Sequence, residues 1–258
     1  MFRAHGAARA AHRSIVTSLS SLATVALLFG GAQSVAAQGP GMPPAAEEEK
    51  AELPHPFFTH MGLPEGVGVV NLRTLALATR ADGRTDGDFA FHLETGLTKS
   101  IGLHIRNDQV RGNPRTEAML QFAAYVSKDG MSGFAPLIEF EFPTRTGDGS
   151  RIHTLVGFTS TIGRRRAVFN QVVHYNPAED GVDASAALVL KAGRRVFPVV
   201  EVLTAGARGE STMVNLLGGL KVQLREWLYV GLAVQVPLTN AKKFSWQGAF
   251  GPDVEWKR

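Results

Sequence analysis

The 258-residue chain contains no cysteine. That excludes disulfide staples, thiolate metal centres and a cysteine nucleophile, and it leaves no thiol for a lipoprotein anchor. Acidic residues are missing before Glu47. Tyrosine and tryptophan are sparse, three of each against 15 phenylalanines. Beyond residue 37 no apolar run is long enough for a spanning helix, and no long amphipathic helical pattern occurs. No GxSxG is present, and GARGES and TRTGDGSR lack the lysine-serine pair of a phosphate loop. His153 or His174 with Ser160 or Ser185 could be imagined as a hydrolase pair, but nothing in the spacing brings them together. An enzyme is not expected.

The segment that lacks acids reads as a secretory signal peptide, residues 1–37. Arg3, Arg9 and Arg13 form its basic start, Ile15 to Gly30 its apolar stretch, and Val35-Ala36-Ala37 a small-residue cleavage site before Gln38. Those arginines supply three of the four excess positive charges, so the high pI gives no support to nucleic-acid binding. Residues 38–66, QGPGMPPAAEEEKAELPHPFFTHMGLPEG, are rich in proline, glycine and charge and read as a flexible, plug-like lead-in. Residues 67–258 form the remaining domain.

In that domain short runs alternate apolar and polar residues. Phe89, Phe91, Leu93 and Leu97 alternate with His92, Glu94 and Gly96, and Ile101, Leu103 and Ile105 with Gly102, His104 and Arg106. Twelve strands are expected, centred near residues 73, 92, 104, 121, 138, 156, 171, 187, 200, 218, 234 and 250. Leu97 is expected opposite Ile101, Leu190 opposite Val196 and Leu224 opposite Leu228, which puts each hairpin's apolar set on one face. One set of connections is basic and tight: Thr98-Lys99-Ser100, Ser127 to Gly133, Gly163 to Arg166, Ala192-Gly193-Arg194 and Arg225-Glu226-Trp227. The other is looser and more polar: ADGRTDG, NDQVRGNPR, TRTGDGSR, NPAEDG, TAGARGES and TNAKK.

Export, loop asymmetry and an even strand number favour an all-β, antiparallel, up-and-down transmembrane β-barrel of about 12 strands in the bacterial outer membrane. Tyr125, Tyr175, Trp227, Tyr229, Trp246 and Trp256 sit near strand ends, where an interfacial girdle would place them. Expected partners are outer-membrane lipid, a small-molecule solute and, through the C-terminal strand with Phe250, Val254 and Trp256, the barrel insertion machinery; no cofactor is expected. A soluble periplasmic β protein, with the apolar face turned to a core, is the alternative.

The hairpins FHLETGLTKSIGLHIR, LVLKAGRRVFPVVEV and LKVQLREWLYVGLAVQVPLT, with the leader and lead-in, resemble the transporter-like barrels of the MetA-pathway of phenol degradation family over residues 65–258. The resemblance implies an outer-membrane location and passage of small hydrophobic or aromatic compounds. It implies no catalytic residues.

With the apolar face outward, His92, Glu94, His104 and Arg106 point into the lumen, with Glu94 opposite His104 and His92 opposite Arg106. Glu139, Glu141, Asn170, His174, Glu201, Lys221 and Gln223 join them from other strands, either as a polar network or as a charge-selective constriction. His55, His60 and Met61 form a candidate metal cluster, since imidazole and thioether suit copper. A barrel that transports nothing and instead binds a ligand or metal is the second functional reading.

Overall fold

The computed structural model describes residues 53–111, 115–143 and 151–257. The expected signal peptide, the lead-in up to residue 52, most of TRTGDGSR and part of NDQVRGNPR lie outside the described residues. Among the described residues thirteen strands form: β1 (Val69–Ala81), β2 (Arg84–Thr98), β3 (Ile101–Asn107), β4 (Arg115–Phe122), β5 (Tyr125–Val126), β6 (Gly133–Pro143), β7 (His153–Arg164), β8 (Ala167–Asn176), β9 (Gly181–Leu190), β10 (Val196–Ala207), β11 (Met213–Arg225), β12 (Leu228–Pro237) and β13 (Trp246–Lys257). The two-residue β5 pairs only with β6 and continues the line of β4. The wall therefore has twelve staves, all antiparallel, and the β1–β13 pairing closes it. Closure removes both sheet edges, so every stave has a hydrogen-bonded neighbour on each side.

Each of the twelve expected strand centres falls inside a strand. The question of facing is settled by exposure. Phe89, Leu97, Ile162, Val200, Leu232 and Phe250 are exposed on the outside, whereas Asn71, Arg73, Glu94, Asn170, Glu201 and Lys221 are buried within. The basic, tight connections lie at the end where β1 begins and β13 finishes, since Val69 pairs with Lys257.

Several details correct the expectation. ADGRTDG is no loose loop: Ala81 pairs with Arg84, and Asp82 and Gly83 make a two-residue turn with φ of 47° and 79°. This is the Asp-Gly hairpin whose positive φ values match strand twist. Leu190 does not face Val196, because Val189 pairs with Val199 and Ala192 N bonds Val196 O, which moves the turn to Gly193-Arg194-Arg195. Leu97 and Leu224 sit at bulges beside their turns, while the ladders behind them keep the expected register. Tyr229 leaves the outer girdle altogether. It is buried inside, edge-on to Phe197 with ring centroids 5.7 Å apart, and its hydroxyl meets Gln223.

Candidate functional site

Residues 55–65 of the lead-in form a loop across the barrel interior. His55 Nε2 meets Glu65 at 2.9 Å, which joins the two ends of the loop. Its backbone is held from nearly every side of the wall. On β10, buried Glu201 accepts the amides of Phe57, Phe58 (3.1 Å) and Thr59 (2.8 Å) and the Thr59 hydroxyl (2.9 Å). From β1, and from β11 next to β10, Arg73 and Lys221 both donate to Pro56 O. Arg106 donates to Phe58 O, Gln121 to Met61 O and Thr159 to Gly62 O, while Gly62 N donates to Asn170. A chain lacking regular structure can be buried only if its backbone groups find such partners.

Glycine makes the space. A Cβ on Gly96 would stand 2.2 Å from Glu65 O, and one on Gly102 would stand 3.1 Å from Pro64. On β12, a Cβ at Gly231 would meet the Phe57 ring at 2.7 Å. Phe57 and Phe58 are buried against Leu75, Leu77, Val189, Phe197, Val199 and Leu217, and Lys221 Nζ lies 5.0 Å from the Phe57 ring centre. The lumen thus has a largely apolar side, filled by these two rings and carrying Arg73, Glu201, Lys221 and Asp253 as its charged groups, and a more charged side on β2 to β8.

Between β2 and β3, His92 pairs with Arg106 and Glu94 with His104, the expected register. Arg73 bridges to Glu94 at 3.0 Å and donates to His92 Nδ1 at 2.7 Å. Because guanidinium only donates, His92 carries its proton on Nε2 and gives it to Asp108 at 2.6 Å. Arg106 pairs with Glu117, Arg115 with Glu141 at 3.7 Å, and Lys221 with Asp253 at 2.9 Å. Glu139 and His174 are buried, with His174 Nδ1 3.7 Å from Glu139. All eleven lumenal candidates therefore face the interior, with Arg106, Glu141 and Gln223 only partly buried.

The three metal candidates part company. His55 lies between Glu65 and Glu94, and Met61 Sδ accepts from Asn170 at 3.7 Å. His60 instead enters a group of wall histidines: His104 (ring centroids 5.2 Å), His174 (6.1 Å) and His92 (6.4 Å). Two sets of side chains offer ligand atoms within 4.8 Å of one another around it, His60-Glu139-His174 and His60-Glu94-His104. Burial opposes charge on His55, but Glu94 and Glu65 outweigh it and raise its pKa to about 10. Burial, with Arg106 and His104 nearby, holds His60 well below the usual imidazole range.

Sequence reasoning missed Arg73, Asp253, Gln121 and Thr159. The first two were legible as a pair only once β1 and β13 were known to be neighbours, where Arg73 faces Asp253. No family model matches the chain, and no curated protein sequence matches it. Solved structures do. The KdgM porin shares 8% identity over 74% of this chain and 99% of its own, with a TM-score of 0.52. A NanC porin shares 6% identity, 73% of this chain and 100% of its own at 0.51. A structure of the KdgM porin in complex with disordered oligogalacturonate gives 9%, 74%, 99% and 0.51. What this chain has in common with them is the fold, a closed antiparallel porin-type barrel.

Proposed function

We propose that the chain is a bacterial outer-membrane barrel that admits small solutes, with its own lead-in as the gate. The observation that carries this reading is a closed barrel with an apolar exterior and a lumen crossed by residues 55–65. An apolar outer face suits lipid, and closed sheets leave no backbone group unpaired there. The gate is held largely by hydrogen bonds to lumen side chains, so water and solute can replace its partners when it moves.

The solute that fits best is small and apolar or aromatic, as the hairpin resemblance to the phenol-degradation family implies. Phe57 supports this: its ring occupies an apolar wall of Leu75, Val189, Val199 and Leu217, a surface suited to another ring when Phe57 leaves. One of the similar porins is described with an oligogalacturonate. Such an acidic chain would need unpaired cations, and among the described residues the interior Arg73, Arg106, Arg115 and Lys221 each have a carboxylate partner.

Planar-bilayer recording and liposome flux test the proposal. Wild-type protein should hold a low current with brief openings, Glu201→Ala should raise the open fraction, and a small phenol should outpace a sugar of similar size. A steady, large and equal current in both proteins would remove the gate. No current or flux in either would remove the channel.

A further inference from the structure

The His60 chamber contains more unsatisfied polar atoms than a filled lumen should. His60 Nε2, His174 Nε2 and Glu139 Oε2 are all buried and have no hydrogen-bond partner among the described residues, and the same holds for Glu94 Oε2 and His104 Nε2 beside them. Buried polar atoms are nearly always paired, so unpartnered atoms on three neighbouring side chains call for an explanation. They belong to side chains that offer ligand atoms within 4.8 Å of one another. Each comes from a different element: His60 from the lead-in, Glu139 from β6 and His174 from β8.

We propose that His60, Glu139 and His174 bind a divalent transition-metal ion of the zinc class, tying the lead-in to the barrel wall. Two imidazoles and a carboxylate are a donor set that zinc takes, with a fourth position left for water. Glu139 is the carboxylate free to do this. Glu94, in the neighbouring set, is already engaged by Arg73 at 3.0 Å and His55 at 3.1 Å. No lysine or arginine among the described residues forms an ion pair with Glu139, whose nearest such contact is His174 at 3.7 Å. A cation would supply the counter-charge that Glu139 lacks and take one donor atom from each of the three side chains. A hydrogen bond explains less, because the 3.3 Å contact between His60 Nδ1 and His104 Nδ1 uses only one side of the His60 ring.

The site differs from a His55-His60-Met61 cluster, since neither His55 nor Met61 takes part. It stands apart from the channel reading, because a barrel that conducts nothing would bind the ion equally well. The test is titration calorimetry with zinc chloride on full-length mature protein, stripped of metal and folded in detergent. Magnesium chloride serves as the hard-cation comparison. One zinc per chain is expected, with no magnesium binding. Glu139→Gln and His174→Gln should each weaken zinc about 100-fold or more, since even residues that only orient ligands cost 10–100-fold. His153→Gln, on the wall outside the triad, should leave the affinity unchanged. Heat-dependent gel mobility identifies which variants are folded, and zinc should raise the melting temperature of wild type but not of Glu139→Gln. Wild-type barrel that binds no zinc, or zinc affinity unchanged in both folded triad variants, would overturn the proposal.

Discussion

Replacing Glu201 with alanine should release the lead-in while leaving the barrel closed. The carboxylate accepts from three consecutive backbone amides and one hydroxyl, all buried. Hydrogen bonds to a charged group contribute about 1.5–3 kcal/mol each, and the orphaned amides would carry their own desolvation cost. These contributions are not additive, because the segment can undock and recover water. Undocking also exposes Phe57 and Phe58, whose burial stabilises the docked loop by about 1.5–3 kcal/mol per ring. A net loss of about 3–6 kcal/mol in docking follows, which raises the undocked population about 100- to 20,000-fold at about 1.4 kcal/mol per decade. Glu201→Gln, which retains one carbonyl acceptor, should fall between. Hydrogen exchange at Phe57, Phe58 and Thr59 in detergent-folded protein reads this directly. Those amides should lose protection by the same factor, while amides in β10 and β11 keep theirs. Unchanged exchange at the three amides in a folded Glu201→Ala barrel would refute the reasoning.

Gly231→Ala should also disturb the gate, since the new methyl would stand 2.7 Å from the Phe57 ring and meets only side chains. Overpacking of this kind costs about 1–3 kcal/mol, and Phe57→Leu in the same chain should recover most of it in a thermal-melt double-mutant cycle. His55 sets a pH limit. Its pKa is raised to about 10 in the docked loop, where Glu94 and Glu65 outweigh burial. Its contribution is complete below the free value near 6.5 and is lost as pH rises through about 10. Exchange protection of the lead-in should therefore fall from pH 7 to pH 10, and His55→Gln should flatten that dependence. Leu232, 60% exposed at the middle of β12, tests the outer face. Leu232→Arg should destabilise vesicle-folded protein by about 2–4 kcal/mol in denaturant titration, the cost of a cation at the bilayer midplane.

The strands that were easiest to read are those with one polar face. β2 and β3 alternate cleanly because His92, Glu94, His104 and Arg106 all face the charged side of the lumen, and the expected pairs His92–Arg106 and Glu94–His104 form, the register breaking only at the bulge beside Leu97. β1 alternates less clearly for a physical reason. Leu75 and Leu77 point inward against the lead-in, so the strand carries apolar side chains on both faces and its period blurs. Leu217, an apparent break in the β11 alternation, is an inward residue of that same cluster. The lead-in itself has no periodicity, and its place depends on contacts such as Phe57 to Glu201, 144 residues apart in sequence. No local pattern encodes such a pairing. The inward glycines 96, 102 and 231 left a trace, since small residues recur on a face otherwise polar, but only the packed loop shows what they admit.

Gel mobility of the outer-membrane fraction in detergent, with and without boiling, tests the central claim most directly. A closed barrel with a lipid-facing apolar exterior predicts a membrane-bound protein whose band shifts on heating. Recovery in the soluble periplasmic fraction, with no heat-dependent shift, would contradict it.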